Sequence, residues 1–329
     1  MLAVRIEVHG GPEVLRAVEV AAPDPPPGGV LVRHEVIGVN YVDTQHRAGV
    51  PYPVQLPLIP GIEAAGHVVG VGAGVEEFRE GDRVAYAGPM VGVYAEVAAV
   101  PAEVLVPIPQ ELSFKTAAAV LLQGMTAHVM THDVHQGSAG EWALVHAAAG
   151  GTGSLLVQFL LHQGVQVLAS ASSAQKAAYL RGLGVEHVIN HRHADLVETV
   201  RAIVPGGVDV VFDSVGRASF EASLRSVRAK GLIVAFGQSS GPVPPMDIAR
   251  LSGLTGEGLP GSVWVTWPTL VDYNQTRQAL VGRAAAVFAA VLEGTLRPVI
   301  AASMPLRQAA RAHELLEARE VIGKVLLDP

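Results

Sequence analysis

The chain has 329 residues, half of them hydrophobic and 16% charged, which excludes a disordered protein and leaves room for two domains. Its formal charge of -7, with no run of Lys and Arg, excludes nucleic acid and anionic membranes as main partners. It contains no cysteine, so disulfides, thiolate chemistry and cysteine-based metal sites are absent together.

MLAVRIEVHGGPEVL alternates like a strand and carries no apolar core of signal-peptide length. The longest strongly apolar run, AAAVFAAVL at 284–292, sits between Arg283 and Glu293 and is far short of the ~20 residues of a spanning helix. The chain therefore reads as a soluble, cytoplasmic protein. Its first 110 residues read as short strands (LAVRIEVH, VLRAVEV, GVLVRHEVIGVN, AAGHVVGVG, DRVAYAG, YAEVAAV) separated by Gly- and Pro-rich turns. Close spacing of such strands suggests a compact barrel or sandwich. Ser113 then caps an Ala-rich helix, expected to break near Gly124.

From 141 onward short apolar strands alternate with amphipathic helices: ALVHA, VQVLAS, HVIN, VDVVFD and GLIVAF, with WVTW at 264–267 as a candidate sixth strand. Five strands with four intervening helices give an α/β fold with a doubly wound parallel sheet. After Pro268 the pattern predicts a long helix to about Glu293, a second helix (LRQAARAHELLEAR) and a last strand, KVLLD. These closing pieces match the first domain, which divides the chain at 1–122, 123–267 and 268–329. No internal repeat is visible, and the Gly-rich stretch 252–262 has no assigned role.

The turn that follows ALVHA decides the chemistry. AAGGTG at 148–153 matches G-x-G-x-x-G with Ala148 in the first glycine position. Gly150 lets backbone approach a pyrophosphate, Gly153 lets the following helix pack on the strand, and the helix N-terminus supplies amide donors. An isolated match could be a ligand-free tight turn; here it heads an alternating strand–helix series. About 20 residues on, an NAD site needs a carboxylate for the ribose 2′-hydroxyl. This chain has LASASSAQK there and no Asp or Glu between Gly153 and Glu186. Lys176, with Ser172 or Ser173, suits a 2′-phosphate, so NADPH is the expected cofactor; an ordinary solvated helix lysine is the other reading of Lys176.

LVHAAAGGTGSLLVQ, with HGGPEVL, GVNYVDTQHRAG, PGIEAAGHVVGVGAGV, GDRVAY, FDSVG and GLIVAFGQSSG, resembles the zinc-free, zeta-crystallin-like NADPH:quinone oxidoreductases of the medium-chain dehydrogenase/reductase superfamily. The resemblance runs over nearly the whole chain. It implies a GroES-like, β-rich catalytic domain built from both chain ends, a Rossmann domain between them, and a homodimer. Zinc relatives carry G-H-E where this chain has Gly61-Ile62-Glu63, and a cysteine ligand where it has Asn40. Two of the three ligands that catalytic zinc needs are therefore missing. His128, His132 and His135 share a helix face, but position 129 is Val, so the H-E-x-x-H pattern is not met and a plain helix surface is favoured. The sequence HRH at 191–193 reads as a loop rather than a ligand set.

The resemblance places Asn40 and Thr126 at the nicotinamide end and Gly150, Gly151, Thr152 and Gly153 along the pyrophosphate. Ser173, Lys176 and His191 would meet the 2′-phosphate, with Ser214, Phe236, Gly237 and Ser239 at the ends of later strands and Arg319 reaching the cofactor from near the C-terminus. His191 stands where the family often has tyrosine. On the substrate side Asn40, Tyr41, Asp43 and Tyr52 are the candidate catalytic groups. Asp43 either orients a donor or makes a structural hydrogen bond, and the two tyrosines either touch substrate or pack. Gln45 replaces a frequent family tyrosine, which puts a phenolic donor there in doubt. The expected reaction is metal-free reduction of a quinone or another electron-poor small molecule by NADPH. The alternatives are an enone, enal or enoyl-thioester reductase, in which a phenol such as Tyr52 would deliver a proton, and a binding protein for RNA, which the charge disfavours.

Overall fold

The computed structural model describes residues 1–88 and 91–329 and divides the chain into two compact units, Met1–Met125 with Tyr273–Pro329, and Thr126–Asp272. In the first unit lie β1 (Leu2–Arg5), β2 (Arg16–Glu19), β3 (Gly29–Val39), α1 (Tyr41–Ala48), β4 (Glu63–Val71), β5 (Arg83–Ala87), β6 (Val97–Pro101) and β7 (Val106–Pro107). The helix α2 (Phe114–His128) leads out of it. The second unit holds β8 (Trp142–Val145), α3 (Gly151–His162), β9 (Gln166–Ala171), α4 (Ala174–Gly182), β10 (His187–Asn190), α5 (Leu196–Ile203) and β11 (Val208–Asp213). It continues with α6 (Phe220–Ser226), β12 (Val227–Ala235) and β13 (Trp264–Thr266). A short α7 (Leu270–Tyr273) precedes α8 (Arg277–Leu292), β14 (Ile300–Pro305), α9 (Ala309–Glu317) and β15 (Lys324–Asp328), which complete the first unit.

Among the described residues, the first unit's main sheet runs β14-β15-β3-β4-β5-β7, with β6 also paired to β3, and β1 pairs with β2. Pairings along β15-β3-β4-β5-β7 are antiparallel, and alternate residues such as Val30, Val32, Ile37, Val68, Val84 and Tyr86 enter a common core. The second unit is a parallel sheet in the order β10-β9-β8-β11-β12-β13. The chain winds outward from β8 one way and from β11 the other, so the switch point lies between those two strands. WVTW does form the sixth strand, over Trp264–Thr266.

Two local expectations need correction. α2 passes straight through Gly124, where a Cβ would meet Val287 Cγ1 of α8 at 2.6 Å; this glycine permits helix–helix contact instead of breaking the helix. The regular α geometry gives way later, in a π-helical turn over Val129–Val134. The long helix expected after Pro268 is two, α7 and α8, the second opening on a cap in which Thr276 Oγ1 accepts from the Ala279 amide. α1 and β14 had no assigned pattern, α1 because its polar face is turned inward: Asp43, Thr44 and Arg47 are buried. No helix among the described residues is long and apolar enough to cross a membrane.

Candidate active site

The glycine turn sits at the carboxyl end of β8, at the switch point. Gly150 caps α3 in an extended conformation and its amide donates to Ala147 O at 2.9 Å. A Cβ on Gly153 would stand 2.4 Å from Ala147 O and 3.0 Å from Ala148 Cα, so only glycine lets α3 lie this close to the turn. Within α3 the first amide to find an i−4 acceptor is that of Ser154, on Gly150 O at 2.8 Å. The amides of Gly151, Thr152 and Gly153 thus belong to the open helix N-terminus, the arrangement that receives anions.

Around this turn the strand ends supply the other expected cofactor residues. After β9, Ser173 caps α4 by accepting from the Lys176 amide at 3.2 Å, and Lys176 follows in the first turn, half-buried. After β10, exposed His191 is held by its Nδ1 at 2.9 Å from buried Ser170 Oγ. After β11 and β12 the chain is drawn close: Ser239 N donates to Ser214 O at 3.2 Å, Phe236 N to Asp213 O at 2.9 Å, and a Cβ on Gly237 would meet Ser214 O at 2.8 Å.

A buried network missed at the sequence level ties β8 to β11 beneath the turn. Asp213 accepts from the amides of Val215 (2.8 Å) and Gly216 (3.1 Å), from Ser219 Oγ (2.7 Å) and from Ser223 Oγ (2.7 Å). His146 Nε2 lies 3.0 Å from the same Ser223 hydroxyl. Because that hydroxyl donates to Asp213, His146 carries its proton on Nε2 and donates to Ser223. Burial lowers the His146 pKa, against the opposing pull of Asp213, which keeps the ring neutral. The string FDSVG in the sequence marks the Asp but nothing local identifies His146 as its partner.

The second unit also contains a cavity of about 200 Å3, lined by Thr126, Val129, Met130, Phe236, Trp267, Pro268, Thr269 and Leu270. Thr126 was expected at the nicotinamide end and Phe236 at the end of a later strand; Trp267 and its neighbours were not expected at the site. The three aligned histidines do not converge: His128 and His132 stack at 3.9 Å, edge-on to Phe159, while His135 Nε2 turns to Glu141 at 3.1 Å. Among the described residues no group of three or more His, Cys, Asp or Glu is placed to hold a metal.

The remaining expected residues, Asn40, Tyr41, Asp43, Tyr52 and Arg319, lie in the first unit. Asn40 is 4% exposed. Its amide is held from both ends, Oδ1 accepting from Lys324 Nζ at 2.6 Å and Nδ2 donating to Glu63 Oε2 at 2.8 Å. Lys324 and Glu63 form a buried ion pair at 2.5 Å, and the Leu122 amide donates to the other Glu63 oxygen at 2.7 Å. Gly38 makes room for it, since a Cβ there would strike Glu63 Oε2 at 2.6 Å.

Asp43 is wholly buried and lies inside the fold as a link between elements. Its Oδ2 accepts from the Asn40 amide (2.8 Å) and from Tyr94 OH (3.0 Å). His313 Nε2 lies 3.0 Å from that phenol, and Arg47 donates to His313 Nδ1 at 3.3 Å while pairing with Glu317 at 2.6 Å. Arginine only donates, so the ring proton is on Nε2 and every hydrogen bond in the chain points toward Asp43. Burial pushes the Asp43 pKa up to about 7 and the His313 pKa down to about 3. Tyr52 is 38% exposed and meets the His46 ring edge-on, so it alone of the two tyrosines is markedly open to solvent; Tyr41 opens α1 half-buried.

Comparisons with known proteins agree with this architecture. Residues 26–110 match the alcohol dehydrogenase GroES-like domain and residues 151–279 the zinc-binding dehydrogenase family. The chain is 39% identical to quinone oxidoreductase 1 of Escherichia coli (strain K12), covering 100% of both. It is 38% identical to 2-haloacrylate reductase of Burkholderia sp, over 100% of this chain and 99% of that one. The crystal structure of E. coli quinone oxidoreductase complexed with NADPH superposes with a TM-score of 0.95 at 38% identity, covering 100% of both chains.

Proposed function

The chain belongs to the zeta-crystallin-like quinone oxidoreductase branch of the medium-chain dehydrogenase/reductase superfamily, and we propose that it is a metal-free, NADPH-dependent quinone reductase. The observation that carries this reading is the turn at 147–153: a glycine cradle at the switch point of a parallel sheet, opening on a helix N-terminus. A Cβ at Gly153 would strike Ala147 O, so glycine there lets the helix N-terminus sit close behind the turn and point its amides at a pyrophosphate. Lys176 in the turn after β9, with no carboxylate before Glu186, favours the 2′-phosphate over a bare ribose.

Gly150, Gly151, Thr152 and Gly153 would hold the pyrophosphate; Ser173, Lys176 and His191 the 2′-phosphate; and Ser214, Phe236, Gly237 and Ser239 the strand-end path, with residues 123–267 as the cofactor domain. Asn40, Thr126 and Arg319 complete the set. Once bound, NADPH supplies the hydride for reduction of the quinone, whose oxygen takes its proton from solvent. The residues of the chain orient the rings and exclude water.

Zinc does not fit. The first unit has Asn40 and Ile62 at two ligand positions, and the Lys324 ammonium already stands against Glu63, where a divalent cation would meet a like charge. The second reading, an enone or haloacrylate-type reductase, is favoured by the 2-haloacrylate reductase similarity. Exposed Tyr52 is then the phenol to test.

We also place the protein in the cytoplasm as a homodimer. The edge strand β13 supports this, because Trp264 (69% exposed) and Val265 (41%) lie on an open sheet edge with no Lys or Pro to protect it. Trp264→Lys should shift light-scattering mass from two chains to one.

The first experiment titrates NADPH and NADH by fluorescence and then adds 1,4-benzoquinone. NADPH should bind at least about tenfold more tightly than NADH, Lys176→Ala should erase most of that margin, and quinone should oxidise the bound NADPH. Equal affinities would remove the 2′-phosphate assignment. An inert quinone with turnover of an enal, lost in Tyr52→Phe, would favour the second reading.

A further inference from the structure

Asn40, Glu63 and Lys324 meet in the interior of the first unit, all three buried, and the two charges among them take no part in the reduction described above. The antiparallel register brings them together. Val325 lies opposite Val39 and Ala64 opposite Ile37, so one step further along each ladder Lys324 arrives beside Asn40 and Glu63 beside Gly38. Burying an ion pair is costly, and well-packed apolar side chains would close the same strands at least as well. What charges supply and apolar groups cannot is direction. An asparagine amide is nearly symmetric in shape, and its two ends differ in what they bond. An ammonium only donates and a carboxylate only accepts. With Lys324 Nζ 2.6 Å from Oδ1 and Glu63 Oε2 2.8 Å from Nδ2, a flipped amide would set donor against donor and acceptor against acceptor. Lys324 and Glu63 also hold each other at 2.5 Å, and the Leu122 amide takes the other Glu63 oxygen.

We propose that Lys324 and Glu63 are positioning residues, which fix the Asn40 amide so that Oδ1 is presented as an acceptor to an N–H or O–H donor of the ligand. Nδ2 is spent inward, on Glu63 and on Gly38 O at 3.4 Å, so the remaining lone pair of Oδ1 is what the side chain has left to offer. The proposal rests on the reading that puts Asn40 at the nicotinamide end. There the carboxamide of NADPH brings N–H donors, whereas the carbonyls of a quinone only accept. The partner of Asn40 is then the carboxamide. Asn40 orients the cofactor and gives no hydrogen bond to the quinone oxygen.

The test compares wild type with Asn40→Ala and with Lys324→Met/Glu63→Gln, which removes both charges together. The probe is the 3-acetylpyridine analogue of NADPH, in which a methyl ketone replaces the carboxamide and its N–H groups. Wild type should bind NADPH at least about tenfold more tightly than this analogue by fluorescence titration, and both variants should cut that margin to about twofold or less. Adenosine 2′,5′-bisphosphate, which has no nicotinamide, should bind all three chains within about twofold. A margin kept in the double variant would overturn the positioning role; one kept in Asn40→Ala, or absent from wild type, would overturn the contact it serves. The fixed amide has a separate readout without nucleotide. The chain has three asparagines, Asn40, Asn190 and Asn274, so nitrogen-15 labelling of asparagine gives three side-chain amides by NMR. The Asn40 amide should exchange with solvent the slowest of the three and should lose that protection in the double variant. Protection unchanged there would show that the charges do not hold the amide and would overturn the proposal. Protection lost as expected, in a chain whose wild type binds neither nucleotide, would uphold the fixed amide and count against the cofactor reading alone.

Discussion

Asp43 in the first unit and Asp213 in the second are both buried carboxylates, yet the two are accommodated by different means. Asp213 is saturated by neutral donors, two amides and two serine hydroxyls, all from the segment that follows its own strand. Asp43 accepts from the Asn40 amide and Tyr94 through one oxygen, while Oδ1 has no partner among the described residues. Its surroundings hold full charges, Lys324 with Glu63 and Arg47 with Glu317, brought from opposite ends of the chain. Neutral local donors make a rigid floor beneath the glycine turn. Charges gathered from afar make a clasp that closes the last strand onto the first unit, at a cost in desolvation that only intact pairs repay.

The largest effect should come from breaking the clasp. Lys324→Met leaves Glu63 buried without a counter-ion and should cost about 3–5 kcal/mol in urea denaturation. Adding Glu63→Gln should restore at least half. A single substitution that costs nothing would mean the pair contributes no closure.

Asn at each aspartate sharpens the contrast directly. Asp213→Asn turns one acceptor into a donor facing donors and should cost about 2 kcal/mol or more. Asp43→Asn can direct its amide to the vacant Oδ1 position and should cost less than about 1 kcal/mol at pH 7. Equal losses would erase the distinction between the two carboxylates.

Gly153→Ala tests the floor's purpose. Its Cβ would press on Ala147 O, costing about 1–3 kcal/mol in stability and at least about tenfold in NADPH affinity by titration.

The last effect is a slope. His34 and His313 are buried with pKa values lowered to about 4 and about 3, so unfolding takes up protons below the ordinary 6.5 and their contribution is lost as pH falls through that range. Asp43, raised from 3.8 to about 7, works the other way: its protonated form stabilises at low pH, and that contribution disappears as pH rises through about 7. Asp43→Asn removes the opposing member. Its stability should therefore climb more steeply than wild type between pH 4 and 6.5, by up to about 1.4 kcal/mol per pH unit, and should not fall from 6.5 to 7. Parallel urea midpoints at pH 5, 6 and 7 would show that Asp43 is ionised throughout.

The alternation of apolar strands and amphipathic helices from 141 to 235, the AAGGTG turn and the missing acid before Glu186 were all legible in the residues themselves. Each is a local pattern: a period, a turn or a spacing within one strand–helix unit, and physics at that range acts through neighbours in sequence. Gly124 shows the limit of that reading, since a glycine serves equally as a helix breaker and as a seat for Val287 from another helix. Trp267 was one aromatic among few until Phe236 and Met130 lined the same cavity. Lys324 and Glu63 are 261 residues apart, and no period or motif joins them. Their pairing, the fixed amide of Asn40 and the raised pKa of Asp43 exist only where the closing strand meets β3, because burial and charge proximity are properties of the packed interior.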